Sequence, residues 1–349
     1  MSSRNAAALP CAWPTLGDIR QAAARLRGKV LETPVWQWRT GPAVASLAPA
    51  TEVWLKLELF QITGTFKLRG ALNCIEALSA AERARGVVAA SAGNHAVAVA
   101  YAARVSGTQA TLLMSRHASP ARIDACRSFG AHVILTEDIH EAFSQAREIE
   151  LRDARAMVPA FDGPRIAEGT GTIGLELLRQ IDGLDAVIVP VGGGGLSGGI
   201  AAAVKQLAPH CAVYGAEPTG ADTMHRSFAS GRPERLLAMT SIADSLGAPH
   251  ASAYTYALCR RYLDDVVQID DAQLAQAVYW LFRDMKLALE PAAAAATAAL
   301  FGPLRERLAG KRVALIVCGS NLTPDAFARY AAMGMPAARA PEPRIEAAA

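Results

Sequence analysis

The sequence predicts an α/β protein with mostly parallel sheets covered by helices on both faces. Three observations predict it. Short β-branched apolar runs recur through most of the 349 residues, longer stretches of helical periodicity separate them, and several junctions between the two are rich in glycine and small polar residues. Strands apolar at nearly every position suit a sheet buried on both faces, and parallel neighbours need a crossover, which the intervening helices provide.

In chain order, the expected strands are "EVWLKLE" (52–58), "GVVAAS" (86–91), "ATLLM" (110–114) and "AHVILT" (131–136). They are followed by "AVIVPV" (186–191), "AVYGAE" (212–217), "DVVQID" (265–270) and "RVALIVC" (312–318). Helices are expected over 93–106, 120–129, 170–181, 195–207 and 270–288. Ligands of such sheets bind where a strand ends and a helix begins, because the helix start offers unpaired N–H groups. Four segments are read as such junctions: "SAGNHA" (91–96), "EGTGTIG" (168–174), "VGGGGLSGG" (191–199) and "CGSN" (318–321). There is no tandem repeat and no long linker, and the Pro- and Ala-rich end "AARAPEPRIEAAA" (337–349) is expected to fray.

Composition narrows the function. Lys and Arg total 35 against 32 Asp and Glu, a formal charge of +3, and no basic run is interleaved with aromatics, so no nucleic-acid partner is expected. The six cysteines (Cys11, Cys74, Cys126, Cys211, Cys259, Cys318) form no CxxC pair, which suggests reduced thiols and a cytoplasmic protein rather than a zinc site or disulfide framework. The N-terminal "AAALPCAWP" is broken by Pro10 and Pro14 with only Arg4 as a charged flank, a poor signal peptide. The apolar run "PAAAAATAALF" (291–301) is far shorter than the ~20 residues of a membrane span.

The segment "AVIVPVGGGGLSGGIAAAV" runs a buried strand into four glycines and then a helix. Several backbone N–H groups can then converge on an anion with no Cβ in the way, the chemistry of a phosphate cradle. A tight turn alone would need one or two glycines. No GxxxxGK[ST] occurs, but "GGGLSG" (193–198) satisfies GxGxxG and Glu217 ends the next strand about twenty residues on, so a nicotinamide-dependent oxidoreductase competes as a reading.

In "ITGTFKLRGALN" (62–73), Lys67 falls at an expected helix start, where the positive end of the helix dipole disfavours an ammonium. Desolvation and positive partial charge lower a lysine's pKa, and a neutral amine is what Schiff-base chemistry requires. Taken alone, a lysine there reads first as ordinary surface charge.

"TGTFKLRGALN", "SAGNHA", "EGTGTIGLEL", "VPVGGGGLSGG", "GAEP", "SIADSLG", "EPAAAAA" and "CGSN" occur in an order and spacing that resemble the pyridoxal-phosphate enzymes of the threonine/serine dehydratase and serine racemase family, over about residues 15–333. The resemblance implies a two-domain fold, with a large cofactor-binding domain (1–76 and 156–349) and a small mobile domain (77–155) that closes over the cleft. It implies that Lys67 anchors pyridoxal phosphate as a Schiff base and serves as the base, with Phe66 packed by the ring. Gly192, Gly193, Gly194, Gly195 and Leu196 would hold the phosphate, and Cys318 would sit by the pyridine nitrogen. Asn94 would bond the phenolic oxygen, and Ser91, Asn94 and His95 would receive the substrate carboxylate. The implied reaction is β-elimination from a 3-hydroxy amino acid such as L-threonine or L-serine, giving a 2-keto acid and ammonia. A homodimer is implied as well.

The sequence also departs from that family. Ala92 in "SAGNH" stands where racemases carry a proton-bearing serine, which favours dehydratase over amino acid racemase. A divalent cation site would use Glu217 and Ala221, but Thr223 replaces the second carboxylate, with Asp222 beside it. Thr170 stands where glutamine is common, and "ADSLGAPHA" looks more like the hydroxyectoine-utilisation dehydratase branch, so a hydroxyectoine-derived or 3-hydroxyaspartate-like substrate is an alternative. The chain after "CGSN" leaves no room for a regulatory domain, so no isoleucine feedback is expected. A catalytically idle protein that keeps the cofactor fold is the remaining reading.

Overall fold

The computed structural model describes residues 13–236 and 238–336. Cys11, most of the N-terminal apolar stretch and the 337–349 tail lie outside the described residues.

Among the described residues, ten strands form two sheets. The strands are β1 (Val35–Gln37), β2 (Glu52–Lys56), β3 (Val87–Ala90), β4 (Ala110–Ser115) and β5 (His132–Thr136), then β6 (Ala156–Met157), β7 (Ala186–Pro190), β8 (Ala212–Pro218), β9 (Asp265–Ile269) and β10 (Arg312–Ile316). The larger sheet has the order β1-β2-β10-β7-β8-β9 and the smaller β5-β4-β3-β6. Every pairing is parallel except β1 with β2. All eight expected strands are present. The two that were not expected, β1 and β6, have three and two residues, too short to show a period.

Nine helices carry the argument: α1 (Leu16–Leu26), α2 (Lys67–Glu76), α3 (Asn94–Val105), α4 (Pro120–Ser128), α5 (Ile139–Asp153), α6 (Pro164–Gln180), α7 (Gly195–Leu207), α8 (Thr223–Ser230) and α9 (Pro291–Phe301). On the smaller sheet, α3 and α4 cover one face, with α2 joining their core through Leu68, Ala71, Leu72 and Ile75. On the other face α5 packs Ala142, Ala146 and Ile149 against Val88, Ala90 and Leu113. The larger sheet's core takes in α9, whose residues Pro291–Leu300 are all buried. A helix apolar on every side belongs in an interior, and its alanines let it lie close to the sheet. No helix among the described residues is long and apolar enough to cross a membrane.

One expected junction is corrected. "EGTGTIG" (168–174) is not between a strand and a helix but inside α6, which begins at Pro164. Its glycines are there for close approach between helices. A Cβ at Gly169 would come within 2.5 Å of the Arg69 carbonyl carried by α2, and one at Gly174 within 2.8 Å of Ala203 on α7. Thr170 sits at the same seam and reaches the Gly195 carbonyl at 2.7 Å.

Beneath α2 lies a buried ionic network. Arg69, fully buried, makes a two-pronged contact with Glu58 (2.8 Å from Nε and from Nη2) and reaches Glu176 at 2.6 and 2.8 Å. Lys56, also buried, reaches Glu176 at 2.7 Å and the Thr33 carbonyl at 2.7 Å. Buried charges persist only when paired and hydrogen-bonded in this way. The network ties β2, α2 and α6 together two residues beyond Lys67.

Candidate active site

The loop that delivers Lys67 is stitched to the chain leaving β10. The Phe66 amide donates to the Cys318 carbonyl at 3.1 Å, the Ser320 amide to the Gly64 carbonyl at 2.9 Å, and Thr65 bridges Gly319. Gly64 takes φ +71°, and a side chain there would strike Asn321, so this turn needs glycine. α2 begins at Lys67 itself.

The lysine amine enters a cavity lined by Phe66, Lys67, Asn94, Gly192, Gly193, Gly194, Gly195, Leu196 and Cys318. The cavity therefore gathers every expected cofactor residue. It adds Phe161, Ser245, Leu246 and Glu290, to which the sequence reading had given no role. Lys67 retains some exposure as a residue, but desolvation of its amine lowers its pKa to about 8, against an opposing pull from Cys318 and Glu290. The amine donates to the Ala160 carbonyl at 2.7 Å and lies 5.1 Å from the Phe66 ring centre.

The four glycines run into the first turn of α7, whose leading N–H groups have no partner within the helix. Gly194 adopts φ +87°, and its carbonyl accepts from Ser197 Oγ at 3.3 Å. A Cβ at Gly192 would come within 2.9 Å of the Leu246 carbonyl, and one at Gly193 would land in the ring of Phe161. The loop is thus bare backbone facing the cavity, capped by an aromatic ring. Cys318 is buried, and burial pushes its thiol well up, so it stays neutral.

An unpaired helix start for a phosphate, a partly neutral amine for a carbonyl and an uncharged thiol for a ring nitrogen form a donor set that fits pyridoxal phosphate. The smaller lobe contributes Asn94, the first residue of α3. Its Nδ2 donates to both oxygens of Glu290, at 2.8 and 3.1 Å, and its Oδ1 accepts from Asn321 Nδ2 at 2.8 Å.

Two expected substrate residues stand apart from this cavity. Ser91 Oγ accepts from the Gly93 amide at 3.2 Å, closing the turn before α3. His95 is buried with Nε2 2.9 Å from the Val158 carbonyl and Nδ1 without a partner. Since a carbonyl only accepts, Nε2 carries the proton. Burial, and then the nearby Lys67 charge, hold the His95 pKa down to about 3, so the ring is neutral.

The cation option at Glu217 and Ala221 gains no support from the described residues. Glu217 is buried and its oxygens accept from the amides of Met224 and His225 in α8, at 2.9 and 2.7 Å, with burial raising its pKa to about 8. Each Glu217 oxygen thus holds one backbone N–H donor, which ties the end of β8 to the start of α8. Ala221 is buried in the turn between β8 and α8. Among the described residues, no three His, Cys, Asp or Glu side chains are grouped to hold a metal.

Signals for the missed residues were in view. Ser245 lies in "SIADSLG" and Glu290 opens "EPAAAAA". A carboxylate before proline, however, reads first as a helix cap, and only the fold shows that this one makes no cap hydrogen bond to α9.

A family model described as pyridoxal-phosphate dependent enzyme matches residues 28–319. A phenylserine dehydratase of Ralstonia pickettii is 50% identical over 321 residues, covering 92% of this chain and 97% of its own. An L-threonine ammonia-lyase of Thermotoga maritima is 37% identical, covering 92% of this chain and 79% of its own. Among solved structures, a maize serine racemase superposes with a TM-score of 0.86 at 31% identity, covering 91% of this chain and 97% of its own.

Proposed function

This chain belongs to the pyridoxal-phosphate dependent enzymes, and from that premise we propose that it is an ammonia-lyase that eliminates water from a 3-hydroxy amino acid, the resulting imine taking water back to give a 2-keto acid and ammonia. The observation that carries the reading is the meeting of the Lys67 amine, the bare glycine start of α7 and the neutral Cys318 thiol in one cavity. Similarity to a phenylserine dehydratase and an L-threonine ammonia-lyase supports the reaction class.

Lys67 would anchor the cofactor and serve as the base, Gly192 to Leu196 would hold its phosphate, and Phe66, Asn94 and Cys318 would surround its ring. When bound, the cofactor draws electron density from the substrate Cα, which acidifies the proton there. Lys67 then accepts that proton, an uncharged amine being the form that can. The start of α3, with Asn94 on the cavity and Ser91 and His95 flanking it outside the lining, is the side on which we read the substrate carboxylate, where the helix dipole favours an anion. Ala92 has no group to move a proton, so elimination is favoured over racemisation.

Residues 77–155 form a lobe that closes over the substrate and excludes water. In support, Arg122 on α4 already reaches the Asn321 carbonyl at 2.9 Å and Asp244 at 3.5 Å. A second cavity, lined in part by Val97, Ala125, Pro291 and Leu322, meets the first at Glu290, and we read it as room for an apolar 3-substituent. We read the enzyme as cytoplasmic, which free thiols at the described cysteines support, and as a homodimer.

The test is direct. Purified protein with pyridoxal phosphate should be yellow, and borohydride should fix the cofactor on Lys67. Incubation with L-threonine, L-serine, phenylserine and threo-3-hydroxyaspartate should release keto acid from at least one. Absence of the lysine adduct together with no keto acid from the panel would overturn the reading.

A further inference from the structure

One buried titratable group at the site has no part in the chemistry above. Glu290 is 2% exposed, and among the residues lining the two cavities it alone faces both, so it stands between the Lys67 amine and the space read as the 3-substituent's. It immediately precedes α9 yet makes no cap hydrogen bond to it. Its oxygens are instead turned to Asn94 and Ser245.

The hydrogen-bond pattern bears on its proton. Ser245 Oγ lies 2.6 Å from Glu290 Oε2 and 3.2 Å from Asp244 Oδ1. A serine has one hydroxyl proton and cannot serve two acceptors at once. With a proton on Glu290, both contacts can be hydrogen bonds at once: the carboxyl donates to Ser245, itself exposed, and Ser245 donates to Asp244. Asp244 is largely exposed, so the line Asp244–Ser245–Glu290 runs from solvent to the cavity. Burial favours the same state, raising the Glu290 pKa against the opposing bonds from Ser245 and Asn94, with Asp244 adding to the rise and Arg122 opposing it.

Resting on the β-elimination reading, we propose that Glu290 is the catalytic acid that protonates the departing 3-hydroxyl, recovering its proton from solvent through Ser245 and Asp244. The balance is complete. The Cα–H bond breaks and its proton goes to Lys67; its electron pair becomes the second Cα–Cβ bond. The Cβ–O bond breaks with its pair on oxygen, which takes the Glu290 proton and leaves as water. Glu290 remains as a carboxylate, with the Asn94 amide donating to both of its oxygens, until a proton returns by way of Ser245.

The experiment compares leaving groups. Chloride leaves without a proton, so 3-chloroalanine needs Lys67 but no acid. Glu290→Gln should lower kcat on the best 3-hydroxy substrate by about 100-fold, within the usual range of general acid catalysis, while elimination from 3-chloroalanine changes less than about threefold on that argument. In cofactor-free wild-type protein near neutral pH, infrared difference spectra against Glu290→Gln should show the carbonyl stretch of a protonated carboxyl. Equal loss on both substrates, no loss on either, or no such band overturns the proposal alone. Wild-type protein that eliminates from 3-chloroalanine but from no hydroxy amino acid overturns the underlying reading, and the proposal with it.

Discussion

The Lys67 amine donates its 2.7 Å hydrogen bond to the Ala160 carbonyl, and the next residue, Phe161, lays its ring over Gly193. One short segment thus touches both the amine and the phosphate loop, and both should change together when cofactor binds. The predictions below perturb one partner at a time.

The first concerns the amine. Its pKa of about 8 lies below the ordinary 10.5, so at pH 7 roughly one amine in ten is neutral rather than roughly one in three thousand. The rate at which cofactor-free protein takes up pyridoxal phosphate should therefore rise with pH and level off above about 8, followed by absorbance. A plateau only above pH 10 would contradict it. Because the unfolded chain keeps this proton up to about 10.5, the group should add stability as pH rises from 8 to 10.5.

The second concerns the loop. In Gly193→Ala the new methyl would occupy the Phe161 ring position, so either the ring or the loop must shift. Overpacking of this kind costs about 1–3 kcal/mol. Pyridoxal phosphate affinity measured by fluorescence titration should fall at least about tenfold, since one misplaced N–H pair already loses more than 1.4 kcal/mol. Unchanged affinity would mean that the loop does not hold the phosphate.

Much of this site was legible in the sequence. The four glycines announce themselves as a run of residues without side chains, whereas Lys67, a cation at a helix start, stands out only beside them and the other motifs in order. The strands show because they are fully buried and therefore apolar throughout. The glycines of "EGTGTIG" misled because close packing between helices and a strand-end turn both call for glycine, and only α6 against α2 and α7 tells which applies. Glu290, Ser245 and Phe161 gain their roles from contacts across the fold, such as the 196 positions between Asn94 and Glu290, which no local pattern encodes.

The third prediction addresses the ion network. Glu58→Ala leaves Arg69 buried with its two-pronged partner gone, and removing one member of a buried pair typically costs about 3–5 kcal/mol. Urea denaturation should show a loss of that size. Because Arg69 lies two residues into α2 from Lys67, cofactor uptake should also slow in the protein that remains folded. A loss below about 1 kcal/mol, the level of an exposed pair, would show that Glu176 alone is a sufficient partner.

The last concerns Thr170, which the sequence resemblance singles out as a departure from glutamine. Its hydroxyl lies 2.7 Å from the Gly195 carbonyl at the start of α7, and 3.1 Å from the Ile166 carbonyl one turn back in its own helix. The threonine thereby joins α6 to the phosphate loop. Thr170→Val keeps the volume and removes the donor, so stability should fall by about 1 kcal/mol, and pyridoxal phosphate should dissociate faster as the loop loosens. Thr170→Gln meets a different obstacle: Gly199 lies against Thr170 with no side chain, and a Cβ there would already strike the hydroxyl. Two more heavy atoms at this seam should force α6 and α7 apart, at a cost of about 1–3 kcal/mol. Denaturation midpoints of the two variants separate the effects. If glutamine proves as stable as threonine, the seam has slack, and the close packing of the α6 and α7 glycines does not set the loop's position.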